Sequence, residues 1–281
     1  MKRIILLLCL FSSSLYSQHY RYKLSICSIF RDEASYIPEW IEFHQSQGVE
    51  HFFLYNNLSR DDYLDILEPY IKRGVVELVE WPFENISLRH WSFIRCNAYM
   101  DCIESHKNQC QWIAFIDTDE FLFSPSRKKL NSVLSNYLDY AGVYINRIKY
   151  GTGKVTSLNP SEKIIETLLF RAPLSSKVNR GVKLIVKPRL VEKIDSPDQF
   201  TFLSNHAVTE KKRTLQDSQS YFVSVDIFRI NNYWLRDLHF FETVQSPRRK
   251  YWGATDKELK KMKALYNDVY DNNIYNISNT H

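Results

Sequence analysis

The residues of this sequence with the clearest chemical potential are two aspartates one residue apart, Asp117 and Asp119, in the stretch WIAFIDTDEFLF. The apolar run before them is typical of a buried strand, so the carboxylates follow the point where that strand ends. Carboxylate oxygens hold hard divalent cations such as Mn²⁺ or Mg²⁺. Such a cation stabilises a departing diphosphate, and the pattern therefore predicts metal-assisted transfer from a nucleoside diphosphate.

An acidic pair of this kind also occurs at ordinary capped strand ends, so its surroundings decide between the two interpretations. Here Glu120 follows the pair directly, and the preceding strand is rich in Trp, Ile and Phe. Three acids after a buried strand of an α/β chain favour a metal and donor centre over a solvated turn.

Strand and helix patterns alternate up to about residue 125. The predicted strands cover residues 23–30, 51–55, 75–80 and 112–116. The predicted helices cover residues 36–47, 61–72 and 92–106, with Gly48 and Gly74 ending the first two. This order implies an α/β fold with a largely parallel sheet covered by helices on both faces. Ligands bind beyond the carboxyl ends of such strands, where the polar loops 31–33, 56–62 and 117–120 are expected to meet.

The alternation loosens after residue 140. Residues 143–150 and 182–186 have strand patterns, and residues 251–266 have a helical one. The sequence contains no internal repeat and no clear linker. We therefore predict one domain over residues 18–281, with a donor-binding half at about 22–125 and an acceptor-side half at about 126–281.

Composition and cysteine spacing exclude several classes of protein. The net charge of +5 comes without a clustered basic stripe, so nucleic acid is not an expected partner. None of the five cysteines forms a CxxC pair, which argues against a zinc site. Spacing alone leaves a Cys102–Cys110 disulfide open. Three Asn-x-Ser sequons begin at Asn57, Asn85 and Asn276.

The N-terminus has the order of charges and apolar residues seen in targeting segments. Lys2 and Arg3 precede an apolar run over residues 4–11, and serines follow. This pattern predicts a signal peptide or a short membrane anchor over residues 1–17. The run is short for a comfortable membrane span. We expect a protein of the secretory pathway, or one associated with a membrane through this segment.

A resemblance to glycosyltransferase family 92 makes the prediction more specific. The stretch RDEASYIPEWIEFHQSQGVEHFFLYNNLSRDD resembles the opening pattern of that family, NEA-x-YL-x-EWI-x-YH-x-x-x-G-V and the loop after it. The matching positions are Glu33, Ala34, Tyr36, Glu39, Trp40, Ile41, His44, Gly48, Val49, Tyr55, Asn57, Ser59 and Asp61. The stretches PYIKRGVVELVEWP, AYMDC and WIAFIDTDEFL continue the resemblance, and YGTG, GVKLIVKP and INNYWLRDLHFF extend it loosely, so that it covers roughly residues 24–255.

The resemblance implies a GT-A fold with a Rossmann-like, mostly parallel central sheet. It also implies an inverting mechanism, a divalent metal (Mn²⁺ or Mg²⁺), a UDP-sugar donor and a glycan or glycoconjugate acceptor, with galactose the sugar most associated with the family. Asp117 would lie by the donor ribose and the metal, and Asp119 would be a direct ligand. Asp32, Asn56 and Arg95 depart from the family pattern, which leaves the donor sugar open.

Several other side chains are candidates for donor and metal binding. Glu33 and Asp61 lie on loops that cup the nucleotide in GT-A enzymes, although helix capping is an equal alternative for both. His206 is the candidate third metal ligand. Lysine and arginine side chains suit a diphosphate. The candidates for that contact are Lys183 and Arg236, with Lys187 and Arg249 as further options.

An inverting transfer needs a general base that deprotonates the acceptor hydroxyl. Asp195 and Asp198 are the first candidates, and Asp226 and Asp237 are further ones; the sequence does not choose among them. Two rival functions remain. A metal-dependent phosphoryl-transfer or hydrolytic enzyme requires further ligands for a second metal. A non-catalytic carbohydrate-binding protein does not require the intact Asp117 and Asp119.

Overall fold

The computed structural model describes residues 19–278, so the signal peptide or anchor predicted over residues 1–17 lies outside the described residues. Thirteen strands and nine α-helices occur within this range. The strands are β1 Tyr22–Phe30, β2 His51–Asn56, β3 Val76–Glu80, β4 Cys110–Phe115, β5 Glu120–Phe123, β6 Gly142–Lys149, β7 Phe170–Arg171, β8 Val182–Val186, β9 Val191–Ser196, β10 Gln199–Phe202, β11 Ala207–Thr209, β12 Arg229–Asn232 and β13 Val269–Tyr270. The helices are α1 Ile37–Ser46, α2 Tyr63–Lys72, α3 Leu88–His106, α4 Leu130–Leu134, α5 Ile164–Thr167, α6 Leu238–Phe240, α7 Ser246–Tyr251, α8 Asp256–Leu265 and α9 Asn273–Ser278. Within this described range, no helix is both long and apolar enough to cross a membrane.

One large sheet organises the chain, with the strand order β3-β2-β1-β4-β8-β6-β12-β5 and β11 added beside β6. The first four strands in this order are all parallel. The pairs β4–β8, β6–β8 and β5–β12 are antiparallel, whereas β6 pairs in parallel with both β11 and β12. The predicted α/β fold with a mostly parallel sheet is confirmed.

Helices cover both faces of this sheet. Side chains of β1 therefore alternate between two buried cores. Leu24 and Ile26 belong to the core that includes α1 and α2. Cys27 and Ile29 belong to the core that includes α3. A strand that is apolar on both faces is typical of a parallel strand with helices on each side. All predicted elements up to residue 116 are present, with boundaries that shift by a few residues.

Helix ends explain where the observed boundaries agree with the prediction and where they differ. Gly48 and Gly74 have φ values of 93° and 68°, the left-handed conformation that glycine adopts without strain. Helix α3 begins before the predicted residue 92 because Ser87 caps it, accepting a hydrogen bond from the His90 amide. The helix predicted over residues 251–266 is present as α8, but it begins at Asp256 because the chain turns between α7 and α8. Gly253, with φ 93°, ends α7, and a capping box of Thr255 and Glu258 starts α8.

Two smaller features complete the description. Cys27, Cys96, Cys102 and Cys110 are free, so the disulfide left open by the sequence is not formed.

Asn57 follows β2 and is fully buried. Its amide nitrogen donates to the backbone carbonyls of Trp81 and Phe83, both at 2.8 Å. These two hydrogen bonds fasten the exit of β2 to the loop before α3.

Candidate active site

The acidic loop lies where the topology predicts a ligand site. Strands β1, β2 and β4 are parallel neighbours, and the loops after them meet at one edge of the sheet. A cleft of about 360 Å³ opens there and is lined by Asp117 and Asp119. Its opposite wall comes from the last third of the chain and includes Trp234, Arg248 and Arg249.

Three carboxylates cluster at this cleft, with Asp117 and Asp119 lining it and Glu120 buried behind them. One oxygen from each of Asp117, Asp119 and Glu120 lies within 4.8 Å of the others. Glu120 is fully buried, and its Oε2 accepts a hydrogen bond of 3.0 Å from the Asp117 amide, which closes the turn. The side-chain amide of Asn232 on β12 donates to Asp119 Oδ1 at 3.1 Å and to Glu120 Oε1 at 3.2 Å. The antiparallel pairing of β12 with β5 places it there.

The carboxylates differ in their surroundings. Burial, followed by the charges of Glu120 and Asp117, raises the pKa of Asp119 to about 7. Burial also disfavours the ionised form of Asp117, yet Arg95 and Lys183 hold the pKa of Asp117 well below its usual range. Arg95 donates to Asp117 Oδ1 at 2.6 Å, and Lys183 donates to Oδ2 at 2.9 Å. Asp119 is therefore the carboxylate of the three that most lacks a positive partner.

Two cations, Arg147 of β6 and Lys183 of β8, form ion pairs with the carboxylates beneath the floor of the cleft. Lys183 is fully buried, with Nζ 3.6 Å from Glu120 and 3.4 Å from Asp198. Arg147 lies 3.3 Å from Asp198 and 3.6 Å from Glu120. Lys183 and Asp198 were both predicted to act at the site, and the structure brings them to it. Burial opposes ionisation of Asp198, but Arg147 and Lys183 lower its pKa, which disfavours Asp198 as a proton acceptor.

A second group of cations faces the open cleft. Within residues 19–278, Lys149, Arg248 and Arg249 line the cleft without a carboxylate at ion-pair distance. Lys149 Nζ donates to Asn232 Oδ1 at 2.9 Å, and burial together with Arg147 lowers the pKa of Lys149 to about 8. Arg249 lies 4.7 Å above the ring of Trp234. These side chains are placed to meet an anion in the cleft.

Glu33, Asp61 and Arg236 surround the neighbouring loop after β1. Arg236, with φ 55°, is buried, forms an ion pair with Glu33 and lies 3.6 Å above the ring of Tyr36. Burial raises the pKa of Glu33, and Arg236 opposes that shift. Asp61 Oδ2 accepts a hydrogen bond of 2.8 Å from the Ala34 amide, so Asp61 fixes the entry to α1. Of these three predicted donor-binding residues, only Glu33 lines the cleft.

Several predicted site residues lie elsewhere. His206 is exposed and precedes β11, whose Ala207 pairs with Gly142 at the start of β6. The carboxylates are near Lys149 at the other end of β6, so His206 is not brought to them as a third ligand. Each of the other separated candidates has a local partner. Asp195 pairs with Lys193, Asp226 with Lys211, Lys187 with the Leu138 carbonyl, and Asp237 caps α6.

The sequence prediction missed Arg147, Lys149 and Asn232 as parts of the site. Arg147 and Lys149 are charged residues at alternate positions near the end of a predicted apolar strand, which places both on one face. That was a usable signal. Asn232 lies in the INNYW stretch and carries no charge, so its place beside Asp119 follows only from the strand pairing.

The oxygen ligands available at the site fit a hard divalent cation. Three carboxylates supply oxygen ligands, which Mn²⁺ and Mg²⁺ prefer. Two of them, Asp119 and Glu120, are buried side by side, and a cation would relieve their repulsion. This is the one group of three or more potential metal ligands found within the described range.

Sequence comparisons identify curated relatives of this chain. A glycosyltransferase family 92 protein of Oryza sativa subsp. japonica is 32% identical over 126 residues, which are 43% of this chain and 20% of that protein. A galactan beta-1,4-galactosyltransferase of Arabidopsis thaliana is 26% identical over 117 residues, 40% of this chain and 22% of that protein. The alignments thus span about a fifth of the length of these curated relatives.

Among solved structures, S. aureus TarS in complex with UDP-GlcNAc is similar over 86% of this chain and 70% of that chain, with 11% identity and a TM-score of 0.44. The model of glycosyltransferase family 92 matches residues 20–268. That match covers the parallel strands, the acidic loop and both walls of the cleft. The chain therefore belongs to glycosyltransferase family 92.

Proposed function

We propose that this protein is an inverting, metal-dependent glycosyltransferase that moves a hexose, with galactose the first candidate, from a UDP-sugar to a glycan acceptor. The observation that carries the proposal is the cluster of three carboxylates, of which Asp117 and Asp119 line a cleft with a cationic opposite wall and Glu120 is buried behind them. A metal-bound diphosphate matches both halves, since its cation suits the carboxylates and its phosphate oxygens suit the cations. The galactosyltransferase activity named for the Arabidopsis relative supports the sugar.

Asp119 is the proposed direct metal ligand, with Asp117 and Glu120 beside it. Bound there, the metal would neutralise the negative charge that builds on the diphosphate as the sugar leaves. Asn232 takes the place predicted for His206. Its amide oxygen is a hard ligand, and rotation of the amide would present that oxygen to a metal beside Asp119 once Lys149, which now donates to the oxygen, has turned to the diphosphate.

The chain's own cations complete the proposed donor site. Lys149, Arg248 and Arg249 would contact the diphosphate, because they face the cleft without an ion-pair partner among the described residues. Lys183 and Arg147 instead keep the acidic loop in place, since their charges already pair with Glu120 and Asp198. Trp234 lines the same wall, and its ring contacts Arg249 and would hold that side chain towards the diphosphate.

The test measures UDP release from a panel of UDP-sugars, with Mn²⁺ and with excess chelator. We expect release from one UDP-hexose that requires the metal and an added glycan. The matched control for Asp119→Asn is Asp226→Asn, an exposed aspartate paired with Lys211. Transfer should be lost in the first variant and kept in the second. Sugar binding without any UDP release would instead support the carbohydrate-binding alternative. Metal-dependent hydrolysis of phosphate esters would support the phosphoryl-transfer alternative.

A further inference from the structure

Two buried side chains of α1 contact the strand that follows the acidic loop. Trp40 Nε1 donates a hydrogen bond of 2.8 Å to the backbone carbonyl of Glu120. His44 Nε2 lies 2.9 Å from the backbone amide of Leu122 and accepts its hydrogen. Both side chains are fully buried. Trp40 and His44 are one helical turn apart, so they present these groups from the same face of α1.

These contacts take the place of the hydrogen bonds that a further strand would make with the free side of β5. Strand β5 pairs with β12 along one edge and is last in the sheet order. Alternate residues of a strand direct their backbone groups to the same edge, so Glu120 and Leu122 direct theirs away from β12. A buried carbonyl or amide without a partner is costly. Trp40 and His44 satisfy both groups.

The ring of His44 is suited to this contact in one tautomer. Its Nδ1 lies 2.7 Å from the Trp40 carbonyl, which can only accept, so Nδ1 carries the hydrogen. Nε2 then has a free lone pair for the Leu122 amide. Trp40 and His44 therefore form one connected unit, in which the residue that binds Glu120 also orients the ring that binds Leu122.

The two hydrogen bonds reach the backbone next to the carboxylates. Glu120 is the first residue of β5 and Asp119 precedes it, so a shift of β5 moves both acids. We propose that Trp40 and His44 are positioning residues that fix the acidic loop in the geometry needed for the metal and the donor. This inference rests on the proposed function for its effect on donor binding. Neither side chain lines the cleft, so both act through β5.

The test compares four variants. Trp40→Phe removes the donor but keeps a smaller aromatic ring, and His44→Leu removes the acceptor but keeps a buried side chain of similar size. His44→Gln keeps an acceptor near the position of Nε2. Ile41→Ala is the matched control, because Ile41 is a fully buried residue of the same helix without a polar group. Each variant is titrated with Mn²⁺ in the presence of UDP and followed by electron paramagnetic resonance.

Trp40→Phe and His44→Leu are expected to weaken Mn²⁺–UDP binding about tenfold, the scale of one lost buried hydrogen bond. His44→Gln should restore affinity to within about threefold of the parent. Ile41→Ala should lower the melting temperature while leaving the affinity within about twofold. Equal losses of affinity in Ile41→Ala and Trp40→Phe would overturn the proposal, because general destabilisation then explains the effect.

Amide hydrogen exchange of residues 117–123 provides a readout that does not depend on activity. Exchange should be faster in Trp40→Phe and His44→Leu than in Ile41→Ala, compared at equal distance below each melting temperature. Faster exchange with unchanged affinity also overturns the proposal. A parent protein that binds no Mn²⁺–UDP refutes the proposed function instead. In that case, faster exchange in Trp40→Phe and His44→Leu than in Ile41→Ala would still support the conclusion that α1 fixes the acidic loop. Equal exchange in all three variants would refute that conclusion.

Discussion

Replacement of Lys183 by methionine tests the electrostatic account of the acidic loop. The Lys183 ammonium is fully buried and lies 2.9 Å from Asp117, 3.4 Å from Asp198 and 3.6 Å from Glu120. Methionine keeps the length of the side chain but leaves these carboxylates without their shared cation. Removing one partner of a buried ion pair costs about 3–5 kcal/mol. For a chain of this size, that loss corresponds to a fall in melting temperature of roughly 6 to 20 °C.

The assay is thermal unfolding at neutral pH, with and without Mn²⁺. The metal-free Lys183→Met protein should melt roughly 6 to 20 °C below the metal-free parent. Added Mn²⁺ should raise its melting temperature more than it raises that of the parent, because the cation supplies the charge that the variant lacks. Lys187→Met is the control, since Lys187 is tied to the Leu138 carbonyl at the opposite edge of the sheet. Equal melting temperatures for Lys183→Met and Lys187→Met would refute the reasoning.

Two further variants test the site and the core. Asp119→Asn should reduce transfer at least about a hundredfold, the cost of one lost electrostatic contact in the transition state. Its metal-free melting temperature should stay equal or rise, because a buried charge beside Glu120 is removed; a large drop would assign Asp119 a structural role. Burial lowers the pKa of His44 to about 3 from its usual 6.5, so stability is complete above pH 6.5 and is lost as pH falls towards 3. Urea unfolding of the parent should therefore lose about 1.4 kcal/mol per pH unit more than unfolding of His44→Gln; identical slopes would contradict this.

The sequence predicted the first half of the fold well because local patterns determine it. Each strand there is a short apolar run that ends at a turn, and Gly48 and Gly74 mark helix ends that require positive φ. The acidic pair was found because its motif is contiguous. His206 was misplaced because its position depends on the pairing of β11 with β6, a contact between distant segments. Asn232 was missed for the same reason, since β12 reaches β5 across more than a hundred residues of chain.

The buried amide of Asn57 has a consequence for how this protein is produced. Asn57-Leu58-Ser59 is an acceptor sequence for N-linked glycans, and the glycan attaches to the same nitrogen that donates to Trp81 and Phe83. A glycosylated nitrogen keeps one hydrogen, so a glycan removes at least one of these two hydrogen bonds at a fully buried position. Carbohydrate at Asn57 and the native β2 exit are therefore mutually exclusive. In a host that glycosylates nascent chains, folded material should be unmodified at Asn57, and modified chains should accumulate in the misfolded fraction.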